Sequence, residues 1–219
     1  MNAHLERAAI AALILGAFSG GAIAKPIAFA QGTTVMAEYG AGTMTEVQAF
    51  YAPTFRYSLG GGHLRLDSEV NENTRDITYL RVNFLPKRWN LEAAQANAFV
   101  WGSVGRAHIG ESDENLFAWN VGGQLDYETR RVYASLRTDL HESSAFSHRI
   151  DTLQLGIAPY EHEYDSLATW FVIQGRQYTG GLSEGTEWAA LVRLFKRSAW
   201  IEAGVTTDGK LQAMLMVNF

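Results

Sequence analysis

Apolar and polar residues alternate along many short segments of this chain, with a period of two residues. The clearest case is segment 115–128, where Phe117, Trp119, Val121, Leu125 and Tyr127 fall on one face and mostly small or polar residues fall on the other. Side chains of a β-strand point alternately to its two faces. The pattern therefore predicts a strand with one apolar and one largely polar face.

Similar patterns recur at short intervals, separated by turn-forming residues, and no segment shows a convincing helical period. They predict an all-β chain with strands at 33–40, 46–59, 63–70, 76–85, 91–104, 115–128, 131–140, 149–159, 166–178, 186–195, 199–206 and 210–219. In segment 166–178, residues 170–173 are apolar on both faces, so the pattern leaves the register of that strand open. Pro53 lies inside the second segment and removes a ladder hydrogen bond, which predicts a bulge there.

The last segment, 210–219, ends on its apolar face with Phe219. About ten residues is the length of a tilted strand that crosses a bilayer. The segment resembles the terminal strand of Gram-negative outer-membrane β-barrel proteins, and the likeness to this class extends to the general pattern of the mature chain. It implies a closed, antiparallel, up-and-down transmembrane barrel of about twelve strands, with Phe219 as an assembly signal. It also implies outer-membrane lipid, lipopolysaccharide and the barrel-assembly machinery as partners.

The amino terminus has the features of a secretory signal peptide. A weakly basic start at Arg7 is followed by an apolar stretch, 8–18, and by small residues at 19–24. That order predicts a signal peptide over residues 1–24, with cleavage possibly as late as residue 30. The barrel would then occupy residues 25–219, exported through the periplasm to the outer membrane.

Composition narrows the possible functions further. The 219 residues include no cysteine and carry a formal net charge of −5, so neither a disulfide nor a basic nucleic-acid-binding surface is expected. No apolar run reaches the roughly 18 residues that a membrane-spanning helix needs. A transmembrane barrel remains compatible, because its hydrophobicity is distributed by alternation.

The turns between the predicted strands divide into two sets, one for each end of the barrel. With both termini in the periplasm, the periplasmic turns are 60–62, 86–90, 129–130, 160–165 and 196–198. The outward set is 41–45, 71–75, 105–114, 141–148, 179–185 and 207–209, and it contains the longest loops, as expected for this class. Aromatic residues near strand ends suit the two interfacial girdles: Tyr39, Tyr57, Phe84, Trp119, Tyr127, Trp188 and Phe219.

If the apolar faces meet lipid, the opposite faces line the lumen. The predicted pore-lining residues are Arg56, Arg65, Asp67, Glu69, Arg81, Asp126, Glu128, Arg137, Asp139, Arg176, Glu187, Arg193 and Glu202, with Glu38 and His63 on the same face. Their charges nearly balance. Such a lining forms either a hydrated pore or a network of arginine–carboxylate pairs that braces a closed barrel. The function that we predict is a narrow porin or channel for small polar solutes or ions, with a weak cation preference set by acidic outward loops.

Residues suited to enzyme chemistry occur without a recognisable motif. His63 is near Ser58 and Asp67 in sequence, and loop 141–148 contains two histidines, serines and a carboxylate. A nucleophile needs an oriented base and a preorganised oxyanion site, and these patterns indicate neither. We therefore predict no catalytic residues and no cofactor, and an outer-membrane lipid hydrolase remains an alternative.

Possible metal ligands also occur, again without diagnostic spacing. Nitrogen and oxygen donors cluster at His141, Glu142 and His148, and in segment 161–165 at Glu161, His162, Glu163 and Asp165. Three methionines, Met36, Met214 and Met216, fall on the lumenal faces of the first and last strands, and thioethers suit Cu(I). Packing and solvation explain these residues better than metal binding does. We predict no metal site, and a metal-binding accessory of an envelope transport system is the second alternative.

Overall fold

The protein is described here by a computed structural model that covers residues 30–70, 73–110, 114–162 and 165–219. The predicted signal peptide, residues 1–24, lies outside these residues. The described residues contain no helix that is long and apolar enough to cross a membrane.

The described residues form twelve antiparallel strands. These are β1 Gly32–Gly40, β2 Met44–Thr54, β3 Tyr57–Asp67, β4 Thr74–Asn90, β5 Ala94–Ile109, β6 Leu116–Thr129, β7 Val132–Ser143, β8 Ser147–Ile157, β9 Ala168–Tyr178, β10 Thr186–Lys196, β11 Ala199–Thr206 and β12 Leu211–Asn218. Each strand pairs with the next along the chain, and β12 pairs with β1. The predicted closed, up-and-down barrel of twelve strands is confirmed.

The seam between β1 and β12 closes the barrel. Seven residue pairs join the two strands, from Thr34↔Asn218 to Gly40↔Gln212. Beyond them, the Thr33 amide donates to the Phe219 carbonyl at 2.6 Å and the Phe219 amide donates to the Thr33 carbonyl at 2.9 Å. The side chain of Phe219 points outward and is 63% exposed. Its backbone therefore completes the seam while its ring remains free to contact lipid or an assembly partner.

The role of Phe219 in assembly is a testable prediction. Phe219→Ser keeps the backbone bonds of the seam but removes the aromatic ring, so we expect unassembled protein to accumulate in the periplasm and be degraded. Phe219→Tyr keeps the ring and serves as the control. Heat-modifiable migration on gels measures the assembled fraction, and normal assembly of Phe219→Ser would show that the ring is not a signal.

The two ends of the barrel have different connections. The end where β1 begins and β12 ends, here the terminal rim, has connections 55–56, 91–93, 130–131, 158–167 and 197–198. The other end, the distal rim, has connections 41–43, 68–73, 110–115, 144–146, 179–185 and 207–210. The longest connection, 158–167, lies at the terminal rim. The prediction that the longest loops belong to the opposite set is therefore wrong.

A belt of apolar side chains surrounds the outer wall. Leu80, Val121, Leu155 and Ile173 are between 47% and 72% exposed. The seven aromatic residues predicted for the girdles all point outward and are 37–63% exposed. Exposed apolar surface of this extent needs a nonaqueous neighbour. Together with the closed strand order, it confirms the outer-membrane β-barrel class and the outer membrane as the location.

The hairpin of β2 and β3 differs from the sequence expectation. Its turn is at residues 55–56, and Gly60, Gly61 and Gly62, predicted as a turn, lie inside β3. A Cβ at Gly60 would stand 2.6 Å from the ring of Phe50, and one at Gly62 would stand 2.7 Å from the Tyr79 hydroxyl. Backbone carbonyls stand closer still: a Cβ at Gly60 would be 1.9 Å from the Ala49 oxygen, one at Gly61 2.4 Å from the Tyr79 oxygen and one at Gly62 2.6 Å from the Val47 oxygen, so glycine is needed at all three positions. The predicted irregularity at Pro53 is confirmed as a register shift between Tyr51 and Thr54.

This correction reverses the predicted faces of β3. His63 and Arg65 point outward, with side chains 53% and 51% exposed. Leu64 and Leu66 point into the lumen and are buried. A shift of one residue moves every side chain of a strand to the other face. Arg65 and Asp67 therefore lie on the outer wall, where His63 contacts Asp76 at 3.3 Å and Arg65 contacts Asp67 at 3.2 Å.

Several strands are also longer than the sequence pattern indicates. β4 continues through 86–90 after a register shift between Phe84 and Lys87, so the predicted turn there is wrong. β7 and β8 extend into the predicted loop 141–148, which leaves only 144–146 as a connection. His141 and His148 are consequently ladder partners inside the barrel.

Candidate functional site: the barrel lumen

The lumen contains a cavity of about 140 Å³, lined by residues from strands all around the barrel. Six of the predicted pore-lining residues border this cavity: Arg81, Arg137, Asp139, Arg176, Arg193 and Glu202. Asp126, Glu128 and Glu187 are on lumen-facing positions nearer the ends of their strands. Arg56 lies in the exposed turn at the terminal rim, and Glu69 lies in the connection 68–73 at the distal rim. Whether the bordering residues line a conducting pore stays a prediction.

Four arginine–carboxylate pairs dominate the cavity wall. Arg193 contacts Glu202 at 2.6 Å, Arg137 contacts Asp139 at 2.6 Å, Arg81 contacts Glu46 at 3.7 Å, and Arg176 contacts Glu38. Most of these side chains are at most 6% exposed, except Glu38 at 14% and Arg137 at 27%. Each cation is neutralised by a direct partner, so the lining is charged but balanced.

Polar contacts also join strands that are not neighbours in the sheet. Arg176 on β9 reaches Glu38 on β1, with three strands between them. Trp101 on β5 donates its indole N–H to Asp139 on β7 at 2.7 Å, and Gln174 on β9 donates to Gln212 on β12 at 2.8 Å. These contacts cross the corners of the lumen and narrow it.

The sequence analysis did not include Glu46 among the lining residues. Its carboxylate accepts a hydrogen bond from the Tyr79 hydroxyl at 2.5 Å and one from the Gln48 side chain at 3.2 Å, and it is the partner of Arg81. The signal for this site was present, because Glu46 and Gln48 alternate with the outward Val47.

The distal end of the lumen is apolar rather than polar. Buried side chains from β2 to β6, from β8 and β9 and from two distal connections form one cluster there: Met44, Leu64, Leu66, Ile77, Tyr79, Ala107, Ala118, Phe146, Ile150, Tyr178 and Leu182. Leu66 and Leu182 are completely inaccessible. This cluster, the distal plug, lies on the distal side of the central cavity, which its members Met44, Leu64 and Ile150 also border. The rule that apolar residues face lipid fails at this end, which explains the reversed faces of β3.

Aromatic side chains narrow the lumen toward the terminal rim. Trp170 packs edge-on against Tyr133, with ring centroids 6.5 Å apart, and His162 from connection 158–167 packs against the same indole at 6.0 Å. Burial in this contact lowers the pKa of His162, so the ring is neutral at physiological pH. The ambiguous segment 170–173 is resolved here: Trp170 and Val172 point inward, while Phe171 and Ile173 point outward.

The candidate catalytic residues are not brought together. Ser58 is buried in the lumen and accepts a hydrogen bond from Asn83, whereas His63 and Asp67 lie on the outer wall. In segment 141–148, which was predicted to be a loop, Ser147 donates a hydrogen bond to Glu142 on the outer face, and His148 points inward, away from both. His63 instead lies 3.0 Å from the hydroxyl of Thr78, its ladder partner on the exposed outer wall.

The candidate metal ligands are likewise dispersed. The described residues contain no group of three or more His, Cys, Asp or Glu side chains that could hold a metal ion. His141 and His148 stack with ring centroids 4.8 Å apart. Glu161 and Asp165 face Arg130 and Arg197 instead, and Glu163 lies outside the described residues. Met36, Met214 and Met216 do meet, as predicted, and they pack around Trp200.

Comparison with known proteins gives a similarity of fold. No protein-family model matches this chain, and no curated protein matches it in sequence. Two solved structures resemble it: a KdgM porin, with a TM-score of 0.46 and 10% identity, and a KdgM porin in complex with disordered oligogalacturonate, with a TM-score of 0.48 and 8% identity. Each match covers 86% of this chain and 98% of the other. At these values nothing about the function of those proteins transfers to this chain.

Proposed function

We propose that this protein is a narrow outer-membrane channel for small polar solutes or ions. The observation that supports the proposal is the distribution of side chains in the closed barrel, which is the reverse of that in a water-soluble protein. Apolar side chains lie on the outside, and ionised side chains surround a central cavity. A cavity of about 140 Å³ holds several water molecules, so ions and small solutes fit and large ones do not. The partners that we propose are outer-membrane lipid, lipopolysaccharide and, after export through the periplasm, the barrel-assembly machinery.

Charge at the distal rim supports a weak preference for cations. Its described connections contain Glu69, Glu114, Glu184 and Asp208 against a single cation, Lys210. Like charges around a low-dielectric opening raise the local concentration of counter-ions. The balanced pairs of the lumen add no net charge, and salt screens the rim within about 8 Å at physiological ionic strength. The preference should therefore be small.

Planar-bilayer recordings test both parts of the proposal. Gln124 lines the cavity, is uncharged and is the ladder partner of Arg137. Replacing it by Glu or by Lys therefore gives two variants that differ only in the sign of the charge added to the cavity. In a salt gradient, Gln124→Glu should shift the reversal potential toward cations and Gln124→Lys should shift it toward anions, relative to the parent. Absence of any current from folded protein would favour a braced, closed barrel, and identical reversal potentials in all three would show that the ions do not pass the cavity at Gln124.

Neither alternative function is supported by a complete site among the described residues. The hydrolase hypothesis needs a base beside a hydroxyl. His63 does lie 3.0 Å from the Thr78 hydroxyl and 3.3 Å from Asp76, but these side chains are ladder neighbours on the outer wall, and Ser58 is inside the lumen. The metal-accessory hypothesis needs converging donors; the described histidines and carboxylates do not converge, and the three methionines that meet pack around the Trp200 ring. The channel is therefore the only function for which we argue.

A further inference from the structure

A loop at the distal rim folds across the mouth of the barrel. Residues 179–185, here the lid loop, connect β9 to β10, and their Leu182 is completely buried in the distal plug. Rim connections normally lie on the surface and expose their side chains. A completely buried leucine at the centre of such a loop indicates that the loop is seated in the opening.

The lid loop is bound to the opposite wall of the barrel. In the ring of twelve strands, β9 is in position five and β3 is in position eleven, six positions apart, so they face each other. The Ser68 hydroxyl, just after β3, donates to the Gly181 carbonyl at 2.6 Å, and the Glu69 amide donates to the Leu182 carbonyl at 2.8 Å. The lid loop therefore meets residues 68 and 69, which follow the strand on the opposite side of the mouth.

Arg75 on β4 secures the start of the lid loop. Its guanidinium donates to the Gly180 carbonyl at 2.7 Å and lies 3.1 Å from Nδ1 of His148, the residue beneath the loop. A Cβ at Gly180 would stand 2.9 Å from Cβ of His148, so the loop lies directly against β8. Gly180, Gly181 and Gly185 all have positive φ, at 67°, 75° and 82°. Glycines at both ends of the loop supply the conformational freedom that a hinge needs.

Glu69 connects the lid loop to a third part of the rim. Its carboxylate accepts a hydrogen bond from Ser183 at 3.1 Å and forms an ion pair with Lys210, which precedes β12. The hydrogen bond from Lys210 keeps the pKa of Glu69 below its ordinary value, so the carboxylate is ionised at neutral pH. Both side chains of the pair are exposed, 40% for Glu69 and 44% for Lys210. Exposed ion pairs are weak, which suits a contact that opens and closes.

We propose that residues 179–185 are a movable lid that closes the distal mouth. In the closed state Leu182 fills the opening, and Glu69 holds the lid in place through its contacts with Ser183 and Lys210. Closed, the lid completes an apolar constriction, and a dry constriction of this kind blocks ions and polar solutes. Open, it exposes the route from the rim to the central cavity. The lid deepens the proposed channel function and rests on it.

The test uses a cysteine reporter inside the cavity, because the chain has no native cysteine. Thr152 lines the cavity, so Thr152→Cys reports how readily a small, water-soluble thiosulfonate reagent reaches the lumen. We expect Leu182→Ser, added to this reporter, to raise its labelling rate at least tenfold in lipid vesicles. Glu69→Gln should raise it about threefold, because the ion pair that it removes is exposed. The charge swap Glu69→Lys with Lys210→Glu should restore the slow rate of the parent.

A second reporter, Ser198→Cys in the turn at the terminal rim, controls for general loosening of the barrel. Its labelling should be equal with and without the lid substitutions. Unchanged labelling of Thr152→Cys, or equal acceleration at both reporters, would overturn the lid. Labelling can be measured whether or not the protein conducts current. Faster labelling with no current in any variant would reject the channel. Full current in the parent that the lid substitutions do not change would reject the lid alone.

Discussion

Replacing Glu202 by alanine should lower the free energy of unfolding by about 3–5 kcal/mol, the cost expected when one partner of a buried ion pair is removed. The substitution leaves Arg193 without its carboxylate at 2.6 Å, in a position where both side chains are at most 6% exposed. Arg193 is also enclosed by Tyr133 and Trp200, whose ring centroids lie 4.6 Å and 4.3 Å from its guanidinium. Arg193 keeps its contact with the Gln154 side-chain oxygen at 2.8 Å, but that group is neutral and does not replace the carboxylate.

Denaturant unfolding in lipid vesicles, followed by tryptophan fluorescence, measures this effect. Asp151→Ala is the matched control, because Asp151 pairs with Arg149 at 2.7 Å on the outer wall, where the arginine is 54% exposed. An exposed pair contributes up to about 1 kcal/mol. The double variant Arg193→Met with Glu202→Leu removes both charges and should recover much of the loss. Equal costs for Glu202→Ala and Asp151→Ala would show that the lumen is fully hydrated around these pairs.

The architecture could be predicted from the sequence because the alternation of apolar and polar residues directly reflects the strands and their two faces. The strand count and the outward aromatic residues follow from the two-residue period, whereas closure was implied by the resemblance of segment 210–219 to the terminal strand of outer-membrane barrels. These features depend on contacts with lipid or with the adjacent strand. Each is therefore visible within one short segment of the chain.

The errors arose where the interior departs from the expected polarity. Gly60, Gly61 and Gly62 have the composition of a turn, but they lie inside β3 because Phe50 and Tyr79 occupy the space that side chains would take. Leu64 and Leu66 follow the lipid-facing pattern, yet they belong to the distal plug. A sequence pattern distinguishes the apolar face of a strand from its polar face. It does not show whether that apolar face contacts lipid or the interior of the barrel.

The lid could not be predicted from the sequence, for a different reason. Its contacts join residues far apart in sequence: Ser68 to Gly181 and Glu69 to Ser183, separated by 113 and 114 positions. Residues 179–185 read as an ordinary glycine-containing loop with one leucine. Only the ring order of strands places the two segments on facing walls. The same holds for Arg176 and Glu38, whose pairing also crosses the lumen.

Placing an arginine at Leu215 should disrupt the barrel far more than placing one at the adjacent Met214. Leu215 lies in the middle of β12, points outward and is 47% exposed in the apolar belt. An arginine on the lipid face near the midplane costs about 2–4 kcal/mol. Met214 borders the cavity and lies between Glu38 on β1 and Glu202 on β11 in the ladder. An arginine there gains two carboxylate neighbours and remains in the polar lumen.

The two variants share a strand, a substitution and a depth in the barrel, and they differ only in the face that receives the charge. Heat-modifiable assembly and denaturant unfolding in vesicles should show a large loss for Leu215→Arg and a small change for Met214→Arg. The small change also follows from the size of methionine, since its long side chain leaves space for an arginine stem. Equal losses, or a greater loss at Met214, would mean that the exposed apolar belt does not face lipid, and the membrane orientation of the whole barrel would then be wrong.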